Sequence, residues 1–220
     1  MKRYFSLLIA FAAVLAVNAQ IYSYESTAVK HQIEKSTSET TWYVRAGLSS
    51  MSADIDDADS KLGYDISVGF HRPFTNAGFY WGMELALASQ GCSIDNTYKF
   101  ENFYRGCEDE YMGHLIRFSP VTVGYKYDIN VLGGITLDAH LGAFVSYTYG
   151  HTYDCSEGYE LDDEWFDFHS RSLDYGLRSG IGVWWKKFNF DVSYQSGFND
   201  NLTEGEGCFD ALTFSLGYAF

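Results

Sequence analysis

Arg45, Asp65, Glu84, Lys126, Asp138, Asp174, Arg178 and Asp191, together with His71 and His140, are ionisable residues set among apolar neighbours. Carboxylates and imidazoles held close together can move protons in catalysis. The same groups packed against arginine and lysine can neutralise one another as buried ion pairs. The space available to them decides which. Two further clusters carry possible chemistry. The run Asp54-Ile-Asp56-Asp57-Ala-Asp59 could offer carboxylate oxygens to Ca²⁺ or Mg²⁺. It lacks the glycine and the twelfth-position glutamate of an EF-hand, so diffuse screening by divalent ions is the preferred reading. The segment from Tyr153 to His169 mixes seven acids with Tyr159, Trp165, Phe166 and Phe168. Those aromatics either anchor a ligand or pack the loops on one another, and the two readings stand equal.

The elements that must position these groups are strands. Period-2 alternation, the mark of a strand with two unlike faces, recurs eight times, beginning with Trp42, Val44, Ala46, Leu48 against Tyr43, Arg45, Gly47, Ser49. It ends with Leu212, Phe214, Leu216, Tyr218, Phe220 against Thr213, Ser215, Gly217, Ala219. In the fourth segment Ile116 and Phe118 lie out of phase with Val121, Val123 and Tyr125. Pro120 sits at the switch, which predicts a bulge. The turn Lys186-Lys187 fixes one register: Trp185 faces Phe188, Val183 faces Phe190, Ile181 faces Val192, and Gly182 faces Asp191.

An eight-stranded antiparallel up-and-down barrel follows, with an interior only wide enough for side chains or one small ligand. The Trp, Tyr, Phe, Leu, Ile and Val face is too bulky for that interior, whereas the Gly, Ala, Ser and Asp face suits it. The bulky face therefore points outward, which requires a bilayer rather than water. Trp42, Tyr43, Phe70, Phe79, Trp81, Tyr125, Tyr127, Trp185, Phe188, Tyr218 and Phe220 fall at one rim, as an interfacial girdle. In so narrow a lumen Arg45, Asp65, Glu84, Lys126, Asp138, Asp174, Arg178 and Asp191 are expected to form an ion-pair network that plugs it, in preference to a catalytic site or an aqueous channel.

Export is written at the N-terminus. Lys2-Arg3, the apolar run Tyr4 to Val17 and Val17-Asn18-Ala19 form a signal peptide over 1–19. Residues 20–40 are polar and read as a flexible periplasmic lead-in, with the barrel over 41–220. Connections then alternate. Three are short (72–78, 128–134 and 186–187), and four are outer loops near 50–60, 91–112, 151–169 and 198–209. The outer loops hold 19 acids against Lys99 and Arg105, a net −17 in a chain of net −14. Nucleic acid is excluded as a partner by this balance. Cys92, Cys107, Cys155 and Cys208 all fall in these loops, and an oxidising periplasm permits disulfides. Of three pairings, Cys92–Cys107 with Cys155–Cys208 is favoured. No CxxC or histidine spacing supports a metal site, and no cofactor is expected.

The alternation, the Ala-Gln cleavage site, the Ser119-Pro120-Val121 strand and the overall size resemble the small outer-membrane β-barrels of Gram-negative bacteria. The pattern is that of the OmpA transmembrane domain, OmpX and the Bacteroidetes "outer membrane protein beta-barrel domain" family, a porin-family group. The ending Thr213-Phe-Ser-Leu-Gly-Tyr-Ala-Phe220 resembles the signal read by the barrel assembly machinery, with Tyr218 and Phe220 its aromatics and Ser215 where glycine is common. The resemblance implies a bacterial outer-membrane location, lipid and lipopolysaccharide as neighbours, a monomer, and a structural or surface-interaction role, with an unidentified extracellular ligand at the loops an open alternative. Some such barrels are lipid A deacylases with a His/Ser pair on one strand and a distant glutamate. Here His169 and Ser170 are adjacent and would point to opposite faces, and Ser172 also misses the face of His169. A non-enzyme is therefore preferred, with a lipid-modifying enzyme second and a narrow pore third.

Overall fold

A computed structural model describes residues 39–53, 58–74, 78–100, 103–129, 134–155, 172–199 and 209–220. Eight strands follow in chain order: β1 (Thr41–Ala53), β2 (Ala58–Pro73), β3 (Phe79–Phe100), β4 (Phe103–Ile129), β5 (Ile135–Cys155), β6 (Leu173–Trp185), β7 (Phe188–Gly197) and β8 (Phe209–Ala219). Each pairs antiparallel with its chain neighbours, and β1 closes on β8. Closure pairs the backbone of the wall all round and removes its edges. The β6–β7 register sets Trp185 against Phe188, Val183 against Phe190, Ile181 against Val192 and Gly182 against Asp191, as the two-residue turn requires. Gly78 and Gly134, at φ of +90° and +85°, end the other two short connections.

Burial is inverted relative to a protein that folds in water. Leu48, Ile66, Val121, Ile181 and Leu216 stand outside, the last two 68% exposed. Arg45, Asp65, Glu84, Arg117, Asp138, Arg178 and Asp191 are buried inside. An outward apolar wall of this kind needs an apolar solvent. At the short-turn rim the aromatics touch around the wall: Trp42–Phe70 and Phe70–Trp81 at 5.3 Å between centroids, Phe79–Tyr125 at 4.9 Å, Phe188–Tyr218 at 5.5 Å. Tyr43 does not belong to this girdle, contrary to the sequence expectation. It follows Trp42 on the same strand, so only one of the two can face lipid, and Tyr43 is buried in the lumen. Exposed Tyr64, Tyr147, Tyr149 and Tyr175 mark the opposite rim.

Pro120 does mark a bulge. Glu84 pairs with Ser119 while Gly82 pairs with Thr122, and Phe118–Val145 is followed by Val121–Ala143, so β4 carries one extra residue against both neighbours. The inward set accordingly switches from Arg117 and Ser119 to Thr122, Gly124 and Lys126.

About 9–11 residues suffice for a strand to cross the apolar layer, yet β3, β4 and β5 have 22, 27 and 21 residues. The expected loop at 91–112 is instead mostly ladder: β3 and β4 stay paired to Phe100–Phe103. Beyond the membrane neither face meets lipid, so the apolar alternation stops although the backbone pairing continues. Lys61 pairs with Glu110, tying β4 of this projection to β2, and the Ser50 hydroxyl donates to Ser60 at 3.1 Å, tying β2 in turn to β1. A closed barrel of this kind is expected to migrate faster unboiled than boiled on a denaturing gel. Identical migration would contradict the fold.

Candidate functional site

Glycine makes room for the bulky lumen groups, strand by strand. Tyr43 is the register partner of Gly69, Tyr80 of Gly124 and His140 of Gly180. A Cβ at those glycines would lie 2.5 Å from Tyr43 Oη, 2.3 Å from Tyr80 Cζ and 2.5 Å from His140 Nε2. Each large side chain therefore lies flat across its neighbour's backbone, and the lumen fills.

Two layers result. In the middle of the barrel Glu84 is the hub. Its Oε2 accepts hydrogen bonds from Tyr43 Oη and Arg45 Nη1, both at 3.1 Å, and its Oε1 accepts from Arg178 Nη1. Arg117 Nη2 lies 3.5 Å from Oε1 and 2.7 Å from Asp65 Oδ2, while its Nη1 donates to Gln195 at 3.1 Å. Arg45 Nε donates to Asn189, and Arg178 donates twice to Ser193 Oγ. Asp191 stands 3.9 Å from Arg45 Nη2 and 3.7 Å from His140 Nδ1. Buried charges persist when paired and hydrogen-bonded in this way.

Toward the short-turn rim the second layer is aromatic. His71 sits tilted between Tyr43 and Tyr80, with centroids at 4.6 and 4.2 Å, and Trp184 closes edge-on at 6.0 Å. Asp138 ties the layer together by accepting from Tyr80 Oη at 2.7 Å and Trp184 Nε1 at 3.0 Å. The Lys126 ammonium lies over the Trp184 ring at 4.4 Å and the Tyr80 ring at 5.2 Å. A gap lined by Tyr43, Arg45, His71, Glu84, Ser119, Thr122, His140 and Arg178 remains between the layers, with room for on the order of one water. Chemically this is a plug: its acids and cations face one another.

Arg45, Asp65, Glu84, Arg178 and Asp191 thus meet in one network, and Lys126 with Asp138 belongs to the aromatic layer below. Asp174 stands apart, at the outer end of β6 opposite Ser146, where its carboxylate accepts from the Tyr175 amide at 2.8 Å. Sequence reasoning missed Arg117, which is 1% exposed and touches two acids. Its signal was present: Arg117 alternates with Ile116 and Phe118, and the bulge at Pro120 is what brings both Arg117 and Lys126 inward.

The ladder does not bring Cys92 to Cys107. Cys92 pairs with Tyr111 and Cys107 with Asn96, four residues apart along the strands, or about 13 Å at the usual rise. A disulfide needs Cα atoms within about 7 Å, and Cys92 is a free, buried thiol. Cys208 lies outside the described residues, as do 54–57, 156–171 and with them His169 and Ser170. Among the described residues no group of three or more His, Cys, Asp or Glu is placed to hold a metal.

Among curated proteins none matches the sequence. Several solved structures match the chain at low identity. Ail, the attachment invasion locus protein of Yersinia pestis, solved with the heparin analogue sucrose octasulfate, is 16% identical with a TM-score of 0.41, covering 82% of this chain and 97% of its own. The N-terminal barrel domain of Pseudomonas aeruginosa OprF is 9% identical with a TM-score of 0.35, over 83% and 100%. The outer-membrane enzyme PagL is 12% identical with a TM-score of 0.41, over 79% and 98%. The family model described as "Outer membrane protein beta-barrel domain" matches residues 28–203. An alternating sequence, a closed eight-stranded wall with its apolar face outward and this match together place the chain in the outer membrane protein beta-barrel domain family, in the bacterial outer membrane.

Proposed function

We propose that the protein is a non-enzymatic, monomeric surface barrel whose function lies in what it displays outside the cell. One observation carries this reading: β3, β4 and β5 run to about twice the length that crossing the membrane demands. The lumen groups are engaged with one another, whereas the outer segments hold the chain's acidity. An acidic outer surface suits cations and, through divalent ions, the phosphates of lipopolysaccharide. Tyr218 and Phe220, both turned outward on the last strand, suit recognition by the assembly machinery. The signal peptide at 1–19 and the lead-in at 20–40 belong to the same proposal, as do disulfides among Cys107, Cys155 and Cys208.

Mass spectrometry of lipid A from a deletion strain tests it against the enzymatic reading. The acylation pattern is expected to be unchanged, and a changed acyl chain content would assign a lipid-modifying activity instead. In planar bilayers the purified protein is expected to add no steady conductance, and discrete openings would favour the pore. Replacing 95–108 by Asn-Gly, which removes three of the 19 outer acids, is expected to leave the gel shift of the folded barrel intact while weakening Mg²⁺-dependent retention on immobilised lipopolysaccharide. Retention unchanged by this truncation would remove the role given to the projection.

A further inference from the structure

The turn between β6 and β7 has an unusual occupant. Two-residue hairpin turns favour Gly, Asn or Asp where the backbone takes positive φ, but here Lys186 sits at φ +56° and Lys187 follows it. A side chain at positive φ carries a backbone penalty that glycine would avoid. Strain retained at an exposed position points to a use for the side chain itself.

The ammonium groups are also placed. Lys186 Nζ lies 5.3 Å from the centroid of the Trp185 ring, and Lys187 Nζ lies 5.8 Å from that of Tyr218. Both rings face outward in the girdle, 54% and 41% exposed, at the depth where aromatic residues meet lipid headgroups. The two cations are thus turned toward the lipid-facing side of the wall, unlike Lys126 inside the lumen. Among the described residues neither has an ion-pair partner. The other two short connections supply little charge, with Arg72 at one and Asp128 at the other. Short turns of an outer-membrane barrel face the periplasm, so the anions within reach are the phosphates of the inner leaflet.

We propose that the Lys186-Lys187 turn, flanked by Trp185, Phe188 and Tyr218, is a binding site for the headgroup phosphate of an anionic phospholipid in the inner leaflet of the outer membrane. The rings seat the acyl region and the paired ammoniums hold the phosphate, fixing the depth of the barrel on its periplasmic side. This surface is separate from the outer projection, and its test does not depend on what that projection binds.

The test uses the full mature chain refolded into phosphatidylcholine vesicles with a minor fraction of spin-labelled phosphatidylglycerol or spin-labelled phosphatidylcholine. Electron spin resonance then reads the motionally restricted fraction of each. The wild type is expected to prefer the anionic label by about fivefold at low salt, the scale of one lysine near an anionic surface, and to lose most of that preference in 0.5 M salt. In the double variant Lys186→Asn with Lys187→Gly, which supplies a favoured turn pair, the preference is expected to fall to none while the gel shift and urea midpoint hold or rise. The charge-keeping variant Lys186→Arg with Lys187→Arg is expected to retain it. Equal restriction of both labels by the wild type, or an undiminished preference in the Asn-Gly variant, would overturn the proposal. Lysine-dependent retention on peptidoglycan without lipid preference would overturn it in favour of the cell wall.

Discussion

Glu84→Gln is expected to destabilise the folded barrel by about 3–5 kcal/mol, the scale for removing one partner of a buried ion cluster. The measurement is the urea midpoint of unfolding from lipid vesicles. Glu84 accepts from Tyr43, Arg45 and Arg178, and Arg117 lies 3.5 Å away. The amide keeps the shape but removes the charge that three guanidiniums share. Asp65 and Asp191 remain, each nearest a different arginine, and neither reaches Arg178 as an ion pair. Repulsion among Arg45, Arg117 and Arg178 then has nothing at the centre to offset it. The double variant Glu84→Gln with Arg178→Met removes one cation along with the acid. It should lose less than the sum of the two single changes, because residues of one network are not additive. A Glu84→Gln barrel within about 1 kcal/mol of the wild type would show that the network does not hold the lumen together.

How much of this could be read beforehand depends on where lipid lies. Along the membrane-crossing segments each strand has an apolar and a small or polar face, so alternation fixes both strand and orientation, and a two-residue turn fixes register outright for Trp185 and Phe188. Arg45, Asp65, Glu84, Arg178 and Asp191 were legible as one inward set for the same reason. Arg117 is legible only once the bulge is placed, because the extra residue at Pro120 reverses parity within β4, and extending the clean alternation of Val121 to Tyr127 backward puts Arg117 on the lipid face. Tyr43 was misplaced through residue type: tyrosine suits a girdle, but its neighbour Trp42 takes the lipid-facing position. Above the membrane neither face needs to be apolar, so Asp95–Phe100 and Phe103–Glu108 continue as paired strand with no alternation to reveal them. The Cys92–Cys107 pairing is corrected there too, since the two share a hairpin but not a rung.

Gly124→Val is expected to cost about 2–4 kcal/mol by the same urea measurement, combining overpacking with the loss of a buried hydrogen bond. Gly124 is the register partner of Tyr80, and a Cβ there would lie 2.3 Å from Tyr80 Cζ and 2.4 Å from its Oη. Neither backbone can retreat, since both belong to a closed ladder. The ring must move, and with it goes the 2.7 Å bond to Asp138. Among the described residues Asp138 then keeps Trp184 as its direct donor, with the Lys126 ammonium displaced from one of its two rings. Removing the obstacle gives the decisive comparison. In a Tyr80→Ala background the valine enters space already vacated, so Gly124→Val should change stability by less than about 1 kcal/mol. An equal penalty in both backgrounds would place the cost in the backbone at 124 and deny the pairing of ring with glycine. Coupling of this size would show how Tyr80 is seated in so narrow a barrel: its ring lies where the facing residue has no side chain.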